Sequence, residues 1–424
     1  MTAFTSTLQK ARPEPSAIYR WVILIFVSLA MFGNYYIYDS ISPLADVLSK
    51  QLHFTDSDIG MLMGIYSIPN IFLVLIGGII IDKTGTRISS FTFALLCFLG
   101  ASITAFSGGE LVLMAIGRLV FGLGAESLIV AITTVLGRWF KGKQLSFAFG
   151  VNLTIARMGS FSAFNSPTWA KSLYADWHAP LLIGVAAGII AVVSIIIYWG
   201  MDVYAEKNYA MHPVPKQDDF NFKDIFSFSR SFWYIVLLCV TFYSAIFPFE
   251  TFAVKFFMDV HGVTRGEGGF FISMIKIFAM ILSPLFGLLS DYIGKRAYMM
   301  MIGSVFLMPI YLIMNYTDIT LYIPMAMMGF SFALIPAIMW PSVAIIVEEK
   351  KLGTAYGLMT MIQNIGLAAF NFLIGWTNDI SGGYSAGMWL FSVLGFFGLF
   401  FSIMLHRSET GPSGHGLEIG IRGK

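Results

Sequence analysis

The sequence predicts an all-α membrane protein whose twelve transmembrane helices form two sets of six. Two observations predict this class. Hydrophobic residues make up 57% of the 424 residues, charged residues make up 12%, and the mean hydropathy is +0.76, far above that of soluble globular domains. In addition, a glycine and aspartate motif recurs at an offset of 209 residues, as duplication of a six-helix unit would leave it.

Apolar runs long enough to cross about 30 Å of hydrocarbon recur along the whole chain. We number them spans 1 to 12, and they cover residues 20–44, 58–81, 88–107, 110–136, 145–168, 179–200, 231–257, 267–289, 297–315, 319–347, 354–377 and 385–405. One long polar segment divides them six to six. The predicted domains are therefore a tail (1–19), an N-terminal bundle (20–201), a linker (202–230), a C-terminal bundle (231–406) and a second tail (407–424).

The Lys and Arg residues outside the spans lie almost entirely on one side of the predicted membrane. If the N-terminus is inside, the inner segments hold 19 of them and the outer loops hold only Lys50, Lys171 and Arg265. The positive-inside rule then predicts that both termini are cytoplasmic. The first 19 residues lack the apolar region and cleavage site of a secretory signal peptide, and we expect a short tail there.

Spans 4 and 5 each carry one charge near mid-membrane. Glu126 lies 12 residues before Arg138, and Arg157 lies 14 residues after Lys143, on the two sides of one basic turn. Both charges therefore lie roughly 18–21 Å from that turn, on adjacent antiparallel helices. A charge at the bilayer centre costs about 2.5–3.5 kcal/mol, so two charges at the same depth are expected to have a structural or functional role. Two interpretations remain open: a substrate or ion site, or a salt bridge that locks the helices together.

The duplicated motif lies in the loops after spans 2 and 8. Its members are Gly78, Asp82 and Arg87 in the first copy and Gly287, Asp291 and Arg296 in the second. In this loop, and more weakly at Arg118 and Gly122, the sequence resembles the major facilitator superfamily. The resemblance implies the major facilitator fold of two six-helix bundles, with spans 1, 4, 7 and 10 lining a central cavity and spans 3, 6, 9 and 12 facing lipid. It also implies that the loop acts as a conformational latch.

The positions of the charged residues agree with this arrangement. Spans 3, 6, 9 and 12 contain no Asp, Glu, Lys or Arg. By contrast, seven charged residues away from the span ends all fall in spans 1, 4, 5, 7 or 8, and they are Asp39, Arg118, Glu126, Arg157, Glu250, Lys255 and Lys276. Charged residues within the membrane are therefore concentrated in the spans that are predicted to face the interior of the bundle.

A closer resemblance is carried by seven stretches in both halves: YYIYDS (35–40), YSIPN (66–70), GAESLIVA (124–131), RWFKGKQLSFAFGVNLTIARMGS (138–160), FPFE (247–250), MWPSVA (339–344) and LGTAYGLMTMIQNIGLA (352–368). In these stretches the sequence resembles one branch of that superfamily, the major facilitator superfamily domain-containing protein one group, known in animals as lysosomal dipeptide uniporters. The resemblance implies that Glu126 and Arg157 handle the substrate. The chemistry agrees, because a dipeptide is a zwitterion whose ammonium suits a carboxylate and whose carboxylate suits a guanidinium.

Glu250 in span 7 and Lys276 in span 8 depart from the pattern of the animal members. Each lies about nine residues from the loop between the two spans, so both lie roughly 13 Å below the outer surface. Three interpretations remain open: a second ion pair in the C-terminal half, an extra substrate contact, or a carboxylate at Glu250 that carries a coupling proton.

The other candidate substrate-binding residues are polar or aromatic side chains inside spans. They are Tyr35, Tyr38, Asn70, Asn152, Tyr243, Trp340, Gln363 and Asn364, and Trp340 is also a candidate for closing the inner gate. An Asn or Gln in a span more often bonds a neighbouring helix than a ligand. We therefore expect only part of this set to contact substrate.

The leading hypothesis is a secondary transporter of dipeptides or similar zwitterions that works by alternating access. An alternative is an organic anion or sugar-phosphate exchanger that uses Arg157 and Lys276. An enzyme is disfavoured, because the six histidines show no nucleophile or metal-ligand spacing. We expect no cofactor, no metal, no nucleic acid and no obligate partner, and we expect a lipid-embedded monomer. The short N-terminal tail without a clear sorting signal suggests a bacterial inner membrane rather than a lysosome.

Overall fold

The computed structural model describes residues 13–140, 144–210, 227–348, 351–412 and 414–420. Nearly all of this chain is helical. The helices of spans 1 to 6 are Ala17–Asp39, Asp56–Gly64 with Ser67–Ala105 for spans 2 and 3, Leu111–Phe140, Leu145–Trp169 and His178–Asn208. Those of spans 7 to 12 are Arg230–His261, Arg265–Ile293, Arg296–Tyr316, Tyr322–Ile346, Leu352–Ser381 and Ser385–Glu409. The loops add a short helix, Ala45–Gln51, and the 3-10 turns Ser42–Leu44 and Lys171–Ala175.

Ten helical segments of the described chain are long and apolar enough to cross a membrane. Span 2, built from Asp56–Gly64 and the start of Ser67–Ala105, and span 5, in which Asn152 and Arg157 lower the hydropathy, complete the predicted twelve. Span 6 continues to Asn208, beyond the predicted end of the N-terminal bundle at residue 201. The predicted fold class is confirmed: this is an all-α membrane protein of twelve spans.

Spans 2 and 3 lie within one run of helical residues that changes direction at Gly85. The backbone there has φ 80° and ψ 160°, a conformation that L-residues with a side chain rarely adopt. The glycine therefore provides the turn that the sequence predicts between residues 81 and 88.

Each half packs its spans mainly among themselves. In the N-terminal half, span 1 packs on spans 5 and 6 and the span 2–3 run packs on span 4; in the C-terminal half, span 7 packs on spans 11 and 12 and span 10 packs on spans 8 and 9. The halves meet through two pairs, span 2 with span 11 and span 5 with span 8. The two pairs occupy equivalent positions in the two halves, as an internal duplication requires.

The halves are closed against each other at the distal end, which we define as the end away from residues 17, 208, 230 and 409. Several polar contacts join them there, among them the following three. Arg265 donates to the Asp46 carboxylate at 2.6 and 3.0 Å, and Lys255 forms an ion pair with Asp56. The Asp379 carboxylate accepts the backbone N–H of Asp56 at 2.9 Å and caps the helix that begins at that residue.

Glycines allow the close approach at both helix pairs. A Cβ atom on Gly60 would lie 2.2 Å from the carbonyl oxygen of Asn371, and one on Gly269 would lie 1.9 Å from that of Phe164. Any larger residue at either position must push the halves apart. The distal closure is therefore tight on the span 2–span 11 side and on the span 5–span 8 side.

The terminal end, which carries residues 17, 208, 230 and 409, is more open along span 5. Phe147 and Leu153, on the part of span 5 nearest that end, are 64% and 48% exposed. The tight contacts between the halves therefore lie at the distal end, and span 5 exposes apolar surface near the terminal end.

Charged residues of the N-terminal half cluster at the terminal end. Arg87 pairs with Asp202 at 2.6 Å and with Glu206 at 2.5 Å, and Arg138 pairs with the same two carboxylates at 3.1 and 2.8 Å. Trp139 also donates its indole N–H to Asp202 at 3.0 Å. This cluster ties the ends of spans 3, 4 and 6 together.

The predicted latch is described only in part. In the first copy, Arg87 forms its ion pairs with residues of span 6. The surroundings of Gly78 and of the Asp82 side chain lie outside the described structure. In the second copy, Arg296 pairs with Asp291 at 2.6 Å, and no described atom beyond the glycine's own stretch of helix lies within 4 Å of a Cβ built on Gly287. A latch function for these six residues stays a prediction.

Candidate functional site

A cavity of about 310 Å³ lies between the two halves near the middle of the bundle. Its walls come from spans 1, 2, 4 and 5 of the N-terminal half and from spans 7, 10 and 11 of the C-terminal half. The lining residues are Asn34, Tyr35, Tyr38, Tyr66, Phe121, Ala125, Glu126, Ile129, Val130, Arg157, Tyr243, Phe247, Trp340, Thr360, Gln363 and Leu367. We call this the central cavity, and the position between both halves is where transporters of this architecture bind substrate.

Glu126 presents the acidic side of the central cavity. It follows Gly124 and Ala125 on span 4, and Gly124 lets span 4 pack closely on span 3, against Phe93 and Cys97. The Tyr66 hydroxyl of span 2 donates a 2.8 Å hydrogen bond to Glu126 Oε1. That bond uses one acceptor position of the carboxylate and leaves others for a ligand.

Arg157 presents the basic side. Its guanidinium carbon lies 5.3 Å from the ring centre of Tyr35 in span 1 and 5.3 Å from that of Phe332 in span 10. Cation–π contacts hold a guanidinium in place without using its N–H donors. The two rings therefore hold the guanidinium in place and leave its donors available to a carboxylate.

Glu126 and Arg157 line the same cavity, yet within the described structure they form no ion pair with each other. The interpretation of the two charges as a salt bridge that locks spans 4 and 5 therefore has no contact to support it. Two unpaired opposite charges facing one cavity can bind the two ends of a zwitterion.

Aromatic and amide side chains form the C-terminal wall. Trp340 of span 10 donates its indole N–H to the Tyr243 hydroxyl of span 7 at 3.1 Å, and its ring stacks on Tyr356 at 6.0 Å. Gln363 of span 11 accepts a weak 3.5 Å hydrogen bond from the Cys239 thiol. The wall is therefore held by its own contacts and offers polar edges to a ligand.

The structure brings seven of the twelve predicted substrate-binding residues to the central cavity. They are Tyr35, Tyr38, Glu126, Arg157, Tyr243, Trp340 and Gln363. Asn70, Asn152 and Asn364 lie outside it: Asn70 donates to Tyr66 O at 3.0 Å, Asn152 accepts from the Ser28 hydroxyl at 3.0 Å, and Asn364 donates to Thr360 O at 3.0 Å. These three amides bond their own or a neighbouring helix, which is the commoner role of an amide in a span.

Glu250 and Lys276 also lie outside the central cavity, where they pair with each other. Lys276 Nζ donates to both carboxylate oxygens of Glu250 at 2.7 and 2.8 Å. Lys276 is 0% exposed and Glu250 is 2% exposed. The Lys276 ammonium also lies 5.2 to 5.7 Å from the ring centres of Phe164, Phe247 and Phe332. Of the interpretations left open by the sequence, the ion pair is the one with a contact in the structure.

Sequence reasoning missed several residues of the cavity wall. Tyr66, which contacts Glu126, could have been predicted from the sequence, because it begins the YSIPN motif, one of the stretches that carry the family resemblance. Thr360 had the same signal, because it lies in the stretch 352–368, whereas Asn34, whose amide donates to Ala125 O at 3.2 Å, had none. Phe247 begins the FPFE stretch, whereas the apolar wall residue Phe121 resembles any other core phenylalanine in the sequence.

Comparison with known proteins identifies the family. A family model described as "Major Facilitator Superfamily" matches residues 27–371 and 251–420. The chain belongs to the Major Facilitator Superfamily. Within this superfamily it is 32% identical over 379 residues to the protein named lysosomal dipeptide transporter MFSD1 of Danio rerio, a match that covers 86% of this chain and 82% of that protein. The resemblance to the dipeptide transporter group is thereby confirmed.

Two further comparisons are more distant. The hexuronate transporter of Escherichia coli (strain K12) is 24% identical over 274 residues, which covers 61% of this chain and 62% of that protein. A solved superfamily structure, described as a bacterial homologue of the human lysosomal transporter Spinster in an inward-facing and occupied conformation, aligns with a TM-score of 0.72 at 15% identity and covers 93% of this chain and 98% of that chain. The latter likeness concerns the fold alone.

Proposed function

We propose that this superfamily member moves dipeptides across the membrane by alternating access of its two bundles. The observation that carries the proposal is the pair of opposite charges, Glu126 and Arg157, which face one central cavity without pairing with each other. The zwitterion's ammonium binds the carboxylate of Glu126, and its carboxylate binds the guanidinium of Arg157. The similarity to a named dipeptide transporter supports this substrate class.

Both charges come from the N-terminal half, on spans 4 and 5, whereas Tyr243, Trp340 and Gln363 come from the C-terminal half. A bound dipeptide therefore contacts both halves at once. Because a ligand shifts a conformational equilibrium only through different contacts in the two states, contact with both halves is what allows substrate to favour their closure.

The proposal includes the orientation and the conformational state. With 19 Lys and Arg residues in the segments on the side of the termini, we place both termini in the cytoplasm of a bacterial cell, with the protein in the inner membrane. The distal end then faces outward. The closed distal contacts and the exposed surface of span 5 near the termini accordingly represent an inward-open state.

A second candidate function is exchange of organic anions, which the similarity to a hexuronate transporter favours. An anion exchanger needs convergent cations, and the sequence suggested Arg157 with Lys276. Lys276, however, is buried and bonded to Glu250 outside the central cavity, and the cavity itself contains the carboxylate of Glu126. A carboxylate beside the one arginine suits a zwitterion better than a dianion.

Thermal stabilisation of the purified protein in detergent tests the proposal. A ligand that binds only the folded form stabilises it by about 2.7 kcal/mol at a concentration 100 times its Kd, so the melting temperature rises with ligand concentration. We expect dipeptides such as Ala-Ala to raise the melting temperature, and single amino acids, sugar phosphates and hexuronates to do so weakly or not at all. Stabilisation by hexuronates or sugar phosphates without stabilisation by dipeptides would contradict the proposal and favour the anion exchanger.

A further inference from the structure

A second cavity of about 480 Å³ adjoins the central cavity, and we call it the side cavity. It lies between span 5 of the N-terminal half and spans 8 and 10 of the C-terminal half. Arg157, Tyr243 and Trp340 line both cavities, whereas Glu126 lines only the central one. The basic end of the proposed dipeptide site therefore opens onto the side cavity, and the acidic end does not.

The side cavity is predominantly apolar. Met280 and Pro284 of span 8 and Pro336 and Ala337 of span 10 contribute to its walls, and Arg157 is the only charged side chain among the described residues that line it. Thr154, one of the few polar groups, already donates its hydroxyl to Gly150 O of its own helix at 3.0 Å. Apart from Arg157 and a few polar side chains, among them Ser283, this wall offers apolar surface.

The covalent geometry of a dipeptide connects these two facts. The C-terminal α-carbon is bonded directly to the carboxylate, so a carboxylate held by Arg157 places the C-terminal side chain within a few ångströms of that guanidinium. The first residue is meanwhile held in the central cavity by its amine at Glu126. The C-terminal side chain is thus the part of the ligand that begins at the mouth of the side cavity.

We propose that the side cavity is the specificity pocket for the C-terminal side chain, and that the preferred substrates are dipeptides with a large apolar C-terminal residue. This inference rests on the proposed function. The side cavity has a volume of about 480 Å³, which is more than any natural side chain needs. Large C-terminal side chains therefore fit in it. Moving a Leu or Phe side chain from water to apolar surface favours Ala-Leu and Ala-Phe over Ala-Gly by about tenfold or more in Kd.

Two variants fill the pocket from two different helices of the C-terminal half. Ala337→Phe on span 10 and Ala279→Leu on span 8 both enlarge residues that line the side cavity and not the central one. We expect each variant to weaken Ala-Phe binding about tenfold or more while changing Ala-Gly binding less than threefold. The two alanines lie on different helices. If one variant fails to fold, the other still tests whether filling the side cavity weakens Ala-Phe binding.

The matched control is Ile129→Phe on span 4, which enlarges a residue of the central cavity alone. We expect it to weaken Ala-Gly and Ala-Phe by similar factors, because it does not reach the C-terminal side chain. Binding is measured by titration calorimetry on the full-length protein in detergent, with melting temperatures as the check on folding.

The outcomes separate this inference from the proposed function. If wild-type protein binds Ala-Gly, Ala-Leu and Ala-Phe equally well, or if both alanine variants weaken all three to the same degree, the specificity pocket is refuted and the dipeptide function stands. If no dipeptide binds, the proposed function fails and the pocket fails with it. A C-terminal preference that disappears in Ala337→Phe and persists in Ile129→Phe supports the pocket.

Discussion

Arg157→Ala is expected to weaken dipeptide binding severely, by about 30-fold or more. Removing one partner of a desolvated charge pair typically costs about 2–5 kcal/mol, which corresponds to a loss of about 30-fold to several thousand-fold in affinity. Arg157 is the only basic side chain among the described residues of the central cavity, so a carboxylate ligand has no other cation there. The affinity is measured by calorimetric titration with Ala-Ala.

The conservative substitution tests how the arginine acts. Arg157→Lys keeps the positive charge but loses the planar group that contacts the rings of Tyr35 and Phe332, and it cannot form two parallel hydrogen bonds to a carboxylate. We expect an affinity loss of about tenfold or more, between those of wild type and Arg157→Ala. A Lys variant with wild-type affinity would show that charge alone matters.

Asn152→Ala is the matched control for the arginine variants. Asn152 lies on the same span as Arg157 but bonds Ser28 and lies outside the central cavity. We expect this variant to lose a little stability and to bind dipeptides like the wild type. If Asn152→Ala weakened binding as much as Arg157→Ala, the loss would reflect a general disturbance of span 5.

Breaking the Glu250–Lys276 ion pair is expected to be the most destabilising single change in the C-terminal half. Both residues are almost fully buried, so either Glu250→Gln or Lys276→Met leaves the opposite charge buried without its partner. Such changes typically cost about 3–5 kcal/mol, whereas replacing both charges by uncharged groups is often neutral or stabilising. We therefore expect both single variants to melt well below wild type and the double variant to recover most of the loss.

Dipeptide binding by the double variant decides between the remaining interpretations of this pair. If the pair only stabilises the packing of spans 7 and 8, the double variant binds dipeptides with wild-type affinity. If either residue contacts substrate, affinity falls although stability has recovered. A double variant as unstable as the singles would contradict the pairing itself.

The sequence was sufficient to predict the fold and the two central charges. Apolar runs define the spans because a helix must be about 20 residues long to cross the bilayer. Glu126 and Arg157 could be placed at one depth because each lies a known number of residues from the same turn. The glycine turn at Gly85 falls where the apolar pattern breaks.

What the sequence could not predict depends on the rotation and approach of distant helices. The bond from Tyr66 to Glu126 joins residues 60 positions apart, and the contact of Arg157 with Phe332 joins the two halves. Hydropathy fixes the depth of a residue but not the direction in which it points. For the same reason Glu250 and Lys276 were placed at the correct common depth, while their position outside the central cavity emerged only from the packing of spans 7 and 8.

The most direct test of the zwitterion site is a cycle that removes the contact between Glu126 and the peptide amine from either side. Ala-Ala and N-acetyl-Ala-Ala are titrated into wild-type protein and into Glu126→Gln, which keeps the size of the side chain and an oxygen for the Tyr66 hydrogen bond. We predict that acetylation weakens binding to wild type by about tenfold or more and has little further effect in the variant, because the two changes remove the same interaction. An equal loss on acetylation in both proteins would show that Glu126 does not bind the amine, and would contradict the account.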